Sequence, residues 1–399
     1  MKYWRGYLTA AILGFFTWAL IAFAKSHTAL MDTVYPYITR MVQSFLAEWS
    51  SGVTFCLWQF LAVVLVLIVL TTIVLMIVLR WNPIQLIGWY TAVASFLFFL
   101  HTALFGLNAY SGSIADDVRL NVTEYTVTEL AEATTYYRDQ ANALAAQVHR
   151  NSDGSAAFAP FQELALQAED GFHTLVYEQS YPIFAGSTLP VKELGWADIY
   201  TSMGIPGFTM ALTGEAAVNP QIPAVVLPFT MCSEMSYRMA ISADSDRNMA
   251  AFMACQVNDS VQFRYSGYFM AYRYCYNALT ELGTVEAQEA AQRIKSGISE
   301  LLYYDIAAYN AFFSQTENRT VTPFSEKVNE ALSKITGKEH VPYQRHDITS
   351  LLVSWHIKTI VLPSQIVEDT KFDPFDETQV DLSGMVHGPA PTETQPAEG

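Results

Sequence analysis

Charged side chains are scarce in this chain. Of 399 residues, 15% are Asp, Glu, Lys or Arg and 51% are hydrophobic, a balance too apolar for an ordinary soluble domain of this length. Basic residues are in deficit as well, 22 Lys and Arg against 38 Asp and Glu, and from Asn108 onward 17 against 36, a net charge of −19. That excludes nucleic acid as a partner, because a polyanion needs a basic surface. Cysteine is sparse, with four residues and no C-x-x-C pair, so neither a zinc knuckle nor a redox centre is encoded. The expected state of Cys56, Cys232, Cys255 and Cys275 is the buried free thiol, with Cys56 inside a membrane span; in an oxidising compartment the alternative is one disulfide among the last three. There is no G-x-x-x-x-G-K phosphate loop and no internal repeat.

What is present begins with apolar runs. Residues from about Thr54 to Leu79 carry no charge and are long enough to cross a hydrocarbon core of roughly 30 Å as a helix. A second run, about Leu86 to Leu107, follows the short polar break Arg80-Trp81-Asn82-Pro83, and an earlier one, Tyr7 to Ala24, follows Lys2 and Arg5. The expectation is a three-span anchor over residues 1–107. A cleaved signal peptide ending near Ala22-Phe23-Ala24 is the alternative for the first run, which is longer than a typical signal core. Arg80 between the last two runs marks a cytoplasmic turn, which leaves everything after Leu107 outside. The chain is expected to be a multi-pass protein of the plasma membrane, with the lipid bilayer as a partner and an extracytoplasmic C-terminal domain.

That domain, residues 108–363, is expected to be mainly α-helical with a few short strands. Helical patterns cover about Thr128–Val148, Phe161–Gln179, Phe229–Met239, Asp246–Cys255, Ser260–Glu281, Val285–Ser314 with a break, Glu326–Ile335 and Ile348–Val361. Between roughly Pro190 and Pro228 Gly, Pro and β-branched residues predominate, which predicts loops with one or two strands. Residues 364–399 are acidic and Pro-rich, the composition of a disordered tail.

The segment Met231 to Cys255, MCSEMSYRMAISADSDRNMAAFMAC, contains no histidine. Ser233, Glu234 and Tyr237 stand where a zinc peptidase carries H-E-x-x-H, a helical pattern in which two imidazoles hold the metal and the Glu polarises its water. Around it lie TGEAAVN (Thr213 to Asn219), VLPFT leading into the helix, and FRYSGYFMAYRYCYNAL (Phe263 to Leu279). This combination resembles a family of bacterial membrane proteins, domain of unknown function 3810, whose members look like zinc metallopeptidases: three N-terminal spans, then an outer zincin-like domain. The resemblance covers about Met1 to Ser364.

It implies that Ser233 and Tyr237 occupy both histidine ligand positions, Asp246 the acidic third-ligand position, and Glu234 that of the catalytic base, here vestigial. A hydroxyl is a poor zinc ligand beside imidazole, and a phenol would have to ionise first. Zinc is the cofactor of the intact family; none is expected here. Thr213, Gly214, Glu215 and Asn219 form a candidate groove, placed where a zincin has a strand that pairs with extended substrate, with a loop over the core as the other reading. The aromatic series Phe263, Tyr265, Tyr268, Phe269, Tyr272, Tyr274 and Tyr276 reads as helix packing, with a binding surface as the other reading. Arg264 and Arg273 are expected to pair with Glu234 or Asp246.

The expected function is a membrane-anchored, catalytically inactive metallopeptidase homologue that binds a peptide or membrane-protein partner, or regulates it, outside the membrane. The alternatives are an active metallopeptidase with a non-standard ligand set, in which His173 or His346 would supply a missing ligand, and a structural subunit of a membrane complex.

Overall fold

Uninterrupted apolar sequence makes the first helices. In the computed structural model, which describes residues 4–317 and 346–363, α1 (Arg5–Ser26) leads through α2 (Thr28–Thr33) into α3 (Tyr35–Ser51), followed by α4 (Leu57–Val78) and α5 (Pro83–Leu104). Of these, α1, α4 and α5 are long and apolar enough to cross a membrane. The buried positions of α1 are the small residues Gly6, Ala10, Thr17 and Ala24, and those of α5 are Gly88, Ala92 and Thr102. Small side chains let two apolar helices approach backbone to backbone. At Gly6 a Cβ would lie 2.3 Å from the carbonyl carbon of Gly88, so no larger residue fits. Only Gln59 is buried along α4.

The third run therefore starts earlier and ends earlier than its hydropathy suggests. Gly106–Tyr110 forms a 3-10 turn whose Leu107, Ala109 and Tyr110 pack with Ala24, Met31 and Tyr35. The Tyr35 hydroxyl donates to the carbonyls of Thr102 and Ala103, both at 3.1 Å, which caps the end of α5. Cys56 also departs from expectation. It is the N-cap residue of α4 rather than part of the span, and its thiol donates to the Glu193 carbonyl at 3.2 Å.

Beyond the apolar helices lie α6 (Ile114–Asp117), α7 (Val127–Ala145), α8 (Phe161–Tyr177), the short α9 (Ala197–Ser202), α10 (Leu227–Arg238), α11 (Asp244–Val257), α12 (Val261–Glu281), α13 (Val285–Ser296), α14 (Glu300–Glu317) and α15 (Ile348–His356). Thr126 and Glu129 close a capping box at the start of α7, satisfying two free N–H groups reciprocally. The core is α10, α11 and α12, with α7 and α8 packed against them. Every residue of α10 except Tyr237 is buried, the signature of a helix enclosed on all sides. The aromatic series on α12 does pack: Phe263, Tyr265, Tyr268, Phe269 and Tyr272 are buried.

Two small sheets complete the fold. β1 (His149–Arg150) and β2 (Ala156–Ala157) form an antiparallel hairpin, tied to α14 by Arg150, whose Nη1 lies 2.6 Å from Asp305 Oδ2. The second has three strands rather than one or two, β3 (Lys192–Glu193), β4 (Gly207–Met210) and β5 (Glu215–Val218), in the order β3-β5-β4, parallel then antiparallel.

The described residues up to Trp355 pack as one unit; the second unit begins at His356, where α15 gives way to a π-helical turn, Ile357–Val361. The expected helix over Glu326–Ile335 and the acidic tail, residues 364–399, lie outside the described residues.

Candidate functional site

Pro228 sits in the first turn of α10, where a missing N–H costs nothing. The Phe229 N–H donates to Ser266 Oγ at 3.0 Å, and that hydroxyl donates to the Val225 carbonyl at 2.6 Å, which fixes the start of the helix on α12. At its other end Arg238 is buried and donates from Nη2 to the carbonyls of Ser187 and Leu189. Ala240 then leaves the helix with φ +73, a left-handed conformation that favours glycine. α10 is thus held at both ends, with Ser233, Glu234 and Tyr237 between.

Glu234 is 6% exposed. Its Oε2 accepts the Thr209 hydroxyl of β4 at 2.6 Å. Gly207, at the start of the same strand, approaches so closely that a Cβ there would lie 2.8 Å from Glu234 Cγ. β4 therefore lies directly on the carboxyl group, where a hydrolytic site would need room for water and substrate. Burial raises the Glu234 pKa, opposed by the positive charge of Arg247 and by the Thr209 hydrogen bond.

Tyr237 lies between two groups. Its ring centroid is 4.7 Å from that of Phe105, and the Arg247 guanidinium carbon is 5.3 Å from it, a cation–π contact. Burial pushes its phenol up to about 12 although Arg247 opposes the shift, so the group is neutral near pH 7. Ser233 Oγ faces Asn248 Oδ1 at 3.4 Å. Asp246 is buried and accepts from Ser113 Oγ at 3.1 Å.

These residues do not fit zinc. Ser233 offers a neutral hydroxyl, Tyr237 an un-ionised phenol beneath a fixed cation, and Asp246 is engaged with Ser113; zinc sites use thiolate, imidazole and carboxylate donors. Among the described residues, no three His, Cys, Asp or Glu side chains converge as ligands.

Asp246 lines a small cavity of about 50 Å³ with Asp32, Arg40 and Asp117. There the Asp117 carboxyl is raised to about 6, chiefly by burial and then by the negative charge of Asp32, with Arg40 opposing. The charged groups acting on Glu234 are instead Arg247 and Asp244, three residues apart on α11 and joined at 3.2 Å.

The candidate groove is corrected by the sheet. Glu215–Val218 is the central strand, paired on both sides and buried throughout, so it has no free edge for a peptide; the sheet's two edges are β3 and β4. Gly214 has φ +68, and a Cβ there would lie 2.5 Å from the Ala47 nitrogen. Thr213 turns back to the Met210 carbonyl, and Asn219 donates to Thr201 Oγ1 at 2.8 Å.

Glu215 has the most consequential role. Its two carboxylate oxygens accept from the backbone N–H groups of Leu57 (2.8 Å) and Trp58 (2.9 Å), and Lys192 Nζ stands 2.7 Å from Oε1. It is a side-chain cap on α4, with negative charge at the helix N-terminus where the helix dipole favours it.

The expected arginine partners are also wrong. Arg264 donates to the carbonyls of Asn258 and Asp259, and Arg273 stacks over Tyr309 at 4.3 Å. The arginine beside Glu234 is Arg247, which sequence reasoning missed. Its signal was spacing, since on the helix expected from Asp246 it stands next to the acidic position. His173 is exposed on α8, 4.5 Å from the Tyr177 ring. All four cysteines are buried free thiols.

A larger cavity, about 700 Å³, opens between α3, the start of α4, α8 and the β3–β5 edge, lined in part by Ala47, Phe55, Cys56, Leu166, Leu194 and Lys192. Its size is in the range of small-molecule and peptide sites.

No curated protein and no solved structure matches the chain. One family model does, over residues 31–341, and its description is Protein of unknown function (DUF3810). The match takes in α3, the capping strand β5, and both helices that carry Glu234 and Arg247; the chain belongs to this family.

Proposed function

We propose that the protein is a membrane-anchored homologue of zinc metallopeptidases that no longer hydrolyses peptides and serves as a binding or regulatory protein outside the plasma membrane. The contact between Thr209 and Glu234 carries this reading. A carboxyl group that is buried, hydrogen-bonded and overlaid by β4 has no water to activate, and Arg247 supplies the positive charge that a metal would bring. Glu234 is then retained for packing and charge balance rather than for chemistry.

The multi-pass topology rests on α1, α4 and α5. The end of α1 and the start of α4 meet the domain through Ala24 and Cys56, and Phe105, just after α5, meets it at Tyr237. Arg80, in the turn between α4 and α5, then marks the cytoplasmic side, and the acidic domain is extracytoplasmic. The cavity beside α3 and α8 is the place for a peptide or membrane-protein partner.

Metal analysis tests the loss of chemistry. The full chain, purified in detergent, equilibrated with limiting zinc and dialysed, is expected to retain no stoichiometric metal. One zinc per chain, lost on Asp246→Ala, would overturn the proposal in favour of an active peptidase with an unusual ligand set.

A further inference from the structure

α3 is amphipathic the wrong way round for a water-soluble helix. The side packed into the protein carries Thr39 and Gln43, both fully buried, with Tyr35, Ala47 and Ser50. Those polar groups are engaged: Gln43 Nε2 donates to the Ala211 carbonyl at 2.8 Å, and Asn108 donates to Thr39 Oγ1 at 3.2 Å. The opposite side carries Tyr37, Ile38, Met41, Phe45 and Trp49, each between 45% and 69% exposed. Their spacing of three and four residues places them on one face. Scattered apolar residues on a surface need no explanation, but a continuous apolar face over a 17-residue helix does.

Its position in the chain says what covers it. α3 begins nine residues after the last residue of α1 and ends six before the first residue of α4, both apolar enough to cross a membrane. Its first residue binds the carbonyls at the end of α5. The apolar face is therefore held beside the ends of the three apolar helices where they meet the domain. Tyr and Trp at either end of it, Tyr37 and Trp49, are the residue types that favour the headgroup level. Glu48 is its one exposed charge, and Arg40 turns partly inward toward Asp117, so the helix lacks the outward basic face that seeks anionic lipid.

We infer that α3 lies in the membrane interface on the domain's side, with Tyr37, Ile38, Met41, Phe45 and Trp49 inserted among lipid and its polar side serving as the floor of the domain. Insertion of such a face reaches about 5–10 Å below the headgroups. The inference rests on the spanning role proposed for α4. It makes the domain a body seated on the bilayer rather than one tethered above it, and sets the mouth of the 700 Å³ cavity, which α3 borders through Ala47 and Ser50, beside the lipid.

Nitroxide labels at Met41→Cys, Leu67→Cys in the middle of α4, and Tyr177→Cys at the exposed end of α8, away from the cavity, test this in the full chain, reconstituted in phosphatidylcholine nanodiscs. The native cysteines are buried, and the parent protein without an added cysteine serves as the labelling blank. Collisions with oxygen and with a water-soluble nickel complex report depth. The expected result is that position 41 meets the nickel complex several-fold less often than position 177, while remaining open to oxygen and shallower than position 67. If position 41 matches 177 while 67 is in lipid, the α3 inference fails and the spanning role of α4 stands. If 67 also matches 177, the spanning role fails and takes the inference with it. Protection of position 41 from both reagents would show a protein contact, a second copy covering the face, and would overturn the inference.

Discussion

The Thr209 hydroxyl lies 2.6 Å from Oε2 of Glu234, and 3.1 Å from the backbone oxygen of the same residue. One side chain of the edge strand β4 thus answers both the carboxyl group and a carbonyl of α10.

Thr209→Val keeps the shape and removes the hydroxyl. With its partner gone, the buried Glu234 carboxyl is left unsatisfied, and the protein should lose about 1–3 kcal/mol of stability. Thermal unfolding of the detergent-solubilised chain, followed by near-ultraviolet circular dichroism, measures this. An unchanged midpoint would mean that water already serves the carboxyl group and that the strand does not close the site.

Glu234→Gln should change the pH dependence of stability. The folded pKa of Glu234 is raised by burial, so its contribution is fully present below the unfolded carboxylate value, about 4.3, and is lost as pH rises through the folded value. The glutamine cannot ionise. Its unfolding midpoint should therefore gain on the parent as pH rises from 4 to 8, with the two nearest at the acid end. Parallel curves would show that Glu234 ionises as freely in the folded chain as in the unfolded one.

Glu215→Ala should be among the more damaging single changes. It uncaps the first N–H groups of α4 and leaves Lys192 only the Ser50 and Phe55 carbonyls; breaking a buried ion pair from one side costs up to about 3–5 kcal/mol. Glu215→Gln, which keeps an acceptor but not the charge, should fall between. Unfolding midpoints rank the three proteins, and equal midpoints for alanine and parent would remove Glu215 as the link between sheet and helix.

Much of this architecture is written in local pattern. The apolar runs, the break between α13 and α14 and the aromatic packing of α12 follow from periodicity alone. α3 does not, because its polar side faces protein and its apolar side faces out; an amphipathic pattern reports that two faces differ, not which one is inside. The candidate site was legible as a row of positions on α10 and α11, but not as contacts. Asp246 and Arg247 are adjacent in sequence, yet one meets Ser113 and the other the Tyr237 ring, a choice made by packing from distant elements. The candidate groove failed for a related reason: whether a strand is central or at an edge depends on pairing with β3 and β4, which its own seven letters do not contain.

The cap on α4 also sets an order of events. Leu57 and Trp58 precede Glu215 by 158 and 157 residues. At synthesis rates of about 5–20 residues per second, roughly eight to thirty seconds separate the making of the helix from the making of its cap. Until then the first N–H groups of α4 depend on water or lipid headgroups, and the helix starts its life open at that end. The arrival of Glu215 closes it, so the last step in securing the anchor belongs to a strand of the domain that the anchor carries.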